Sequence, residues 1–278
     1  MSRFATRLLA AGLTLLVIAG LALGARCMSL TSVSCSVETL FSDQPELDVP
    51  YAGTRPEVVD RMLEMALVGP NDRVFDLGTG DGRILIAAAR DRGASGLGVD
   101  LDPVLIKRAR RSAEREDVAD RVSFQVQDLF DTPLRGADVV TMFLLPEVNL
   151  RLRPRILSQM RPGTRVVSHA FDMGEWQPTA TDRVGGSTIY LWIVPARVEG
   201  RWRLEQVGGE AAELSFRQRF DTLEGQLSMD GRQTPLEAPR LAGDRISFSV
   251  AGPSGDRLYV GRVEGDSISG ENWRAVRK

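Results

Sequence analysis

Arg73-Val-Phe-Asp-Leu77 reads as a short buried strand that runs straight into Gly78-Thr-Gly-Asp-Gly82 and out into Ile84-Leu-Ile-Ala-Ala-Ala89, the opening turns of a helix. A chain that passes from strand to helix through three alternating glycines has few ways to fold there. Gly78 and Gly80 let the backbone turn tightly and come closer to a ligand than side chains would allow. A second acidic strand end, Gly96-Leu-Gly-Val-Asp100, follows 24 residues after Asp76. In a βαβ unit, that is where a carboxylate accepts hydrogen bonds from a ribose diol.

Four readings of the loop compete. A phosphate-binding loop needs Gly-Lys-Ser/Thr after the glycines, and none is present. A dinucleotide loop wants Gly-x-Gly-x-x-Gly, whereas the spacing here is Gly-x-Gly-x-Gly, preceded by Asp76 and containing Asp81. Acidic groups around the loop suit a ligand carrying an ammonium or sulfonium better than a pyrophosphate. S-adenosylmethionine has both, and a ribose for Asp100. A glycine turn that merely joins strand to helix is the bland reading, and the paired acidic strand ends weigh against it.

Around the loop, apolar strands and amphipathic helices alternate. A helix begins at Pro56, with Val58, Val59, Met62 and Leu63 on one face. Strands follow at 74–77, 97–100, 122–128, 137–145 and 164–171, separated by helices from Gly82, Pro103 and Glu147. This order predicts an α/β fold, a doubly wound and mostly parallel Rossmann-like sheet. Little room for a helix exists between Phe171 and Ser187, so 188–194 is expected to return as an antiparallel strand. After Pro195-Ala196 the period changes to short alternating runs: Leu214-Ser-Phe-Arg217, Leu223-Glu-Gly-Gln-Leu227, Ile246-Ser-Phe-Ser-Val250 and Leu258-Tyr-Val-Gly-Arg-Val263. Gly243-Asp-Arg-Ile-Ser247 is echoed by Gly265-Asp-Ser-Ile-Ser269. Residues 197–278 are therefore expected to form a small antiparallel β domain, a sheet or partial barrel. The expected division is 1–27 targeting or anchoring, 28–50 linker, 51–196 catalytic and 197–278 β domain.

The net charge of −2 provides no overall basic field for nucleic acid. Lys107-Arg-Ala-Arg-Arg111 reads as a solvated helix face. Arg3 and Arg7 precede an uncharged run of 17 residues, Leu8 to Gly24, that fits either an uncleaved membrane anchor or a cleaved signal. Membrane association is expected. The charge pattern places the globular part outside the cytoplasm, while a supply of S-adenosylmethionine favours the cytoplasmic face. Cys27 and Cys35 either close a small disulfide loop or remain two thiols in a linker.

His169 is the only histidine, and with two linker cysteines it leaves no ordinary zinc site. It reads better as a satisfied structural histidine than as a group facing a cleft. Asp128, in Val126-Gln-Asp-Leu-Phe130, ends the third strand and is placed to bond an adenine amino group, with Leu129 packing nearby; a turn cap is the alternative. Phe143-Leu-Leu-Pro-Glu-Val-Asn149 follows the fourth strand, where a methyl acceptor should approach. Methyl transfer is an in-line displacement, so most of the work is alignment and desolvation. A lysine acceptor must lose a proton from a pKa near 10.4. Glu147 or Asn149 would hold that nitrogen, with Tyr51 closing the cleft from the N-terminal side. Pro-Glu is also an ordinary helix start.

With these residues in view, the chain resembles the class I S-adenosylmethionine-dependent methyltransferases. More narrowly, it resembles the membrane-anchored protein-lysine methyltransferases related to the mitochondrial ATP-synthase c-subunit enzyme. The likeness rests on Pro50-Tyr51, Asp76-Leu-Gly-Thr-Gly-Asp-Gly-Arg-Ile84, Gly98-Val-Asp-Leu-Asp-Pro103, the Phe143–Asn149 segment and the N-terminal apolar run, and covers roughly residues 50–195. It implies cofactor binding through Asp76, Gly78, Gly80, Asp100 and Asp128, and a protein lysine as acceptor; Asp81, Leu101 and Leu129 are expected beside them at the cofactor. Two departures bear on the substrate: Ala52-Gly53 stands where Val-Pro is expected, and a C-terminal β domain is added. A small-molecule acceptor, or a non-catalytic exported binding protein that keeps the fold, are the alternatives.

Overall fold

The computed structural model describes residues 52–206, 211–252 and 255–278. Tyr51, the two cysteines and the whole 1–50 segment lie outside these residues. Among the described residues, no helix is long and apolar enough to cross a membrane.

The first half builds a seven-stranded sheet in the order β3-β2-β1-β4-β5-β7-β6. Strands β1 (Arg73–Leu77), β2 (Ser95–Asp100), β3 (Val122–Val126), β4 (Val139–Met142) and β5 (Arg165–His169) run parallel, and β7 (Ser187–Ile193) pairs antiparallel with β5. The edge strand β6 (Ala180–Val184) was not anticipated; it forms a hairpin with β7. It is polar and mostly exposed, so no apolar alternation announces it.

Local chemistry sets the helix limits. Helix α1 (Pro56–Met65) has proline at its first turn. Helix α2 (Arg83–Arg92) leaves the glycine loop through Gly82 at φ 81° and ends at Gly93 (φ 73°), whose N donates to Ala89 O at 3.0 Å in an αL closure. Helix α3 (Pro103–Arg115) is capped by Asp102, whose carboxylate accepts from the amides of Val104 (2.7 Å) and Leu105 (3.4 Å). Helix α4 (Pro146–Gln159) follows β4. Met62, Leu63, Leu85 and Ile106 fill one face of the sheet, and Leu152, Ile156, Trp176 and Trp192 the other. Lys107, Arg108, Arg110 and Arg111 are exposed, as a solvated face requires.

The second half is a closed eight-stranded antiparallel barrel: β8 (Gly200–Gln206), β9 (Ala212–Arg219), β10 (Thr222–Met229), β11 (Arg232–Ala242), β12 (Arg245–Val250), β13 (Arg257–Glu264), β14 (Ser267–Gly270) and β15 (Trp273–Arg277). Each strand pairs with the next, and β15 returns to β8. Trp202, Phe216, Phe248, Tyr259 and Trp273 pack its interior; eight strands leave just enough room for side chains. The expected sheet or partial barrel is thus a complete one. Strand β11 was missed because Pro235 and Pro239 interrupt its pattern; its register shifts between Glu237 and Arg240.

Sheet and barrel belong to one compact unit, Glu46–Lys278. Phe220 of the barrel stacks on Trp176 (ring centroids 6.2 Å apart) beneath the Arg153 guanidinium, and Ala196 N donates to Gly243 O at 2.8 Å.

Candidate active site

An open cleft lies at the carboxyl ends of β1, β2 and β4, where the strand order reverses, the usual place for a ligand on such a sheet. Its floor is the loop Gly78-Thr-Gly-Asp81, with Asp100 and Leu101 at the end of β2 and Gln127 and Leu129 after β3. Phe143 and Leu144 close it beyond β4, and Ala52, Gly53 and Thr54 cross it from the N-terminal side.

Gly78 adopts φ 74°, and a Cβ there would stand 2.7 Å from Leu144 Cδ2, so only glycine leaves the floor open. Asp100 is half-buried. Its Oδ2 accepts from Gly80 N (2.8 Å) and its Oδ1 from Asp102 N (3.0 Å), which fixes the carboxylate at the cleft wall with lone pairs left over. These features fit S-adenosylmethionine: a carboxylate for a ribose diol, an apolar wall from Leu101, Leu105 and Leu129, and a floor kept open at Gly78 and Gly80.

Asp76 lies beneath the floor, 1% exposed. Thr79 Oγ1 and Thr141 Oγ1 donate to its two oxygens at 2.7 and 2.6 Å. Burial, with the neighbouring charges of Asp100 and Asp81 adding to it, raises its pKa to about 6 against the pull of the two hydroxyls. The group supports the loop from below and contributes negative field; it does not line the cleft. Asp81 does line it, held bidentate by Arg83 (Nε–Oδ1 2.8 Å, Nη2–Oδ2 2.7 Å). Arg83 also donates to Thr54 O at 2.9 Å and packs flat on Gly53, whose missing Cβ would fall 2.6 Å from the guanidinium. The Ala52-Gly53 departure therefore makes room for Arg83.

Three expected residues stand elsewhere. Asp128 is not among the lining residues; its Oδ1 accepts from Phe130 N at 2.7 Å, the turn-capping role weighed as the alternative. Glu147 sits exposed in the first turn of α4, where its charge complements the helix dipole. Asn149 is fully buried beside the β5 end, its Nδ2 donating to Phe171 O (3.1 Å) and Asp172 O (3.2 Å). Sequence reasoning missed Arg83, Thr54 and Gln127. Arg83 was quoted in the loop motif, but only its contact with residue 54 reveals a role.

The family described as the ANTKMT methyltransferase domain matches residues 76–180. A protein-lysine N-methyltransferase of Saccharolobus islandicus is 41% identical over 151 residues, spanning 52% of this chain and 94% of the relative. The adenine nucleotide translocase lysine N-methyltransferase of Mus musculus is 34% identical over 154 residues, 55% of this chain and 66% of the relative. Among solved structures, an RNA methyltransferase from Salinibacter ruber in complex with S-adenosyl-L-homocysteine is 50% identical, with TM-score 0.52, covering 53% of this chain and 96% of that one. A parallel sheet with a glycine loop and a carboxylate at the end of its second strand makes a cleft of the nucleoside-binding kind. The chain belongs to the S-adenosylmethionine-dependent methyltransferases, and its residues 76–180 match the ANTKMT methyltransferase domain. The family match ends before the barrel begins.

Proposed function

We propose that this enzyme methylates the side-chain amine of a protein lysine. The observation that carries the reading is the 41% identity to a protein-lysine N-methyltransferase over 94% of that relative's length. The cleft supports it, because its acceptor side ends in the aromatic and aliphatic walls of Phe143 and Leu144, suited to a long aliphatic amine. Bound S-adenosylmethionine supplies an electrophilic methyl on a sulfonium. The carboxylate of Asp100 holds the ribose, the backbone of Gly78 and Gly80 receives the methionyl portion over the acidic field of Asp76, and Leu101 and Leu129 flank the base. The acceptor nitrogen gains the methyl as the carbon–sulfur bond breaks, and its proton leaves to solvent; desolvation in an apolar slot helps it arrive neutral.

The domain division at 196/197 and membrane association through the Leu8–Gly24 run belong to the same proposal, the second resting on the sequence alone. RNA as acceptor is the second reading, favoured by the 50% identity to the RNA methyltransferase of Salinibacter ruber; the net charge of −2 weighs against it. The test is incubation of the full chain with methyl-labelled S-adenosylmethionine and, separately, cell protein, RNA and small-molecule extract. Recovery of methyl-lysine after acid hydrolysis is the expected result. Label confined to RNA or small molecules would overturn it.

A further inference from the structure

The end of β5 makes a turn that the cofactor cleft does not require. Ala170, not a glycine, adopts φ 70°, and Phe171 N donates to His169 O at 2.9 Å. A hydrogen bond spanning two residues across a positive-φ centre is the strained form of γ-turn. Strain of this kind persists only where the surroundings over-determine it. Here Ala170 N donates to Thr188 O (2.7 Å), Ser168 Oγ donates to Phe171 O (2.7 Å), and Asn149 Nδ2 clamps Phe171 O and Asp172 O.

The turn brings His169 and Phe171 onto one ring. Their centroids lie 3.9 and 6.4 Å from that of Phe143, which itself lines the cofactor cleft. His169 Nδ1 stands 3.1 Å from Oγ1 of Thr54, another lining residue. When Nδ1 carries the proton and donates to Thr54, Nε2 presents a lone pair; among the described residues, no hydrogen bond reaches Nε2. Asn149 Oδ1 is buried with no partner among the described residues. Burial, and after it the cation of Arg55, holds the imidazole below its ordinary pKa, so a neutral ring meets an incoming amine.

We propose that Phe143, His169 and Phe171 form the seat of the acceptor amine, and that Asn149 is a positioning residue that holds the turn in place. The two phenyl rings flank the aliphatic chain, and their faces tolerate the ammonium before it deprotonates. His169 Nε2 accepts a hydrogen bond from the nitrogen, which leaves the lone pair free to point along the line of transfer. This rests on the lysine reading above.

The single histidine gives one set of imidazole resonances, readable without assignment. In the full chain loaded with S-adenosylhomocysteine, titration with n-butylamine should shift those resonances saturably, and n-butanol should not. With a protein acceptor found in the labelling test, Phe171→Leu and His169→Asn should each raise the acceptor KM about tenfold, while the dissociation constant for S-adenosylmethionine stays within about twofold. Asparagine at 169 keeps a partner for Thr54 but loses the ring on Phe143. A flat butylamine titration overturns the proposal, as does loss of cofactor affinity in step with acceptor KM. Methyl-lysine formation with unchanged acceptor KM in both variants sinks the seat alone; label on RNA alone overturns both readings.

Discussion

Replacing Asp76 with asparagine should make this protein more stable at neutral pH while weakening its hold on the cofactor. The carboxyl is 1% exposed, and folding raises its pKa from 3.8 to about 6. That step is worth about 3 kcal/mol. Because the folded pKa is the higher one, the penalty is absent below about pH 4, grows as the pH rises, and is complete above about pH 6. Asparagine has nearly the same shape and no charge. One of the hydroxyls of Thr79 and Thr141 must turn to accept from the new amide, which both can do by rotation. The variant should therefore gain up to about 3 kcal/mol at pH 7.5 and nothing at pH 4, or about 6–12 °C in Tm for a unit of this size. Thermal unfolding of both proteins between pH 4 and 7.5 measures it. A Tm difference constant over that range would refute the reasoning. So would a variant that binds S-adenosylmethionine as tightly as the parent, because the acidic field beneath the loop is the counterpart of that stability loss.

The same electrostatics predict that S-adenosylmethionine, whose positive charge lowers the Asp76 pKa, binds with proton release near pH 5–6; calorimetry in buffers of different ionisation enthalpy should show it, and the neutral thioether product should release less. Asp100→Ala should cost about 2–4 kcal/mol of cofactor affinity through two lost charge-assisted hydrogen bonds, and unchanged binding by a folded variant would remove Asp100 from the ribose site. Glu147→Ala should lower stability by about 0.3–1 kcal/mol through the helix dipole and leave methyl transfer within about twofold; a loss of turnover beyond that would return Glu147 to the acceptor site.

The parallel half of the fold was legible because its strands are apolar and its helices carry their own signals, such as Pro56, Asp102-Pro103 and Gly93. Polar β6 lacked such a signal, and the prolines of β11 concealed a strand whose partners lie on either side of a register shift. Whether antiparallel strands stop as a sheet or close depends on one pairing, β15 with β8, that no local pattern encodes. The site divides in the same way. Gly78, Gly80 and Asp100 stand in a spacing that a reader of the sequence can measure. Thr54 and His169 are 115 residues apart and become neighbours only when the sheet assembles. Asp128 and Glu147 run the other way: carboxylates at strand and helix ends look functional in sequence, and here one caps a turn and the other is exposed at a helix start.

Closure of the barrel through β8 and β15 also fixes an order of events during synthesis. Strands β8 to β14 leave the ribosome in sequence and zip as neighbouring hairpins, but the free side of β8 stays uncovered until Trp273–Arg277 has emerged. Throughout that interval the nascent chain carries a sticky, hydrogen-bond-hungry border beside an already foldable catalytic half. Trimming or fusing at β15 would lengthen that exposure, so chaperone demand and yield in the cell should respond to changes there before catalysis does.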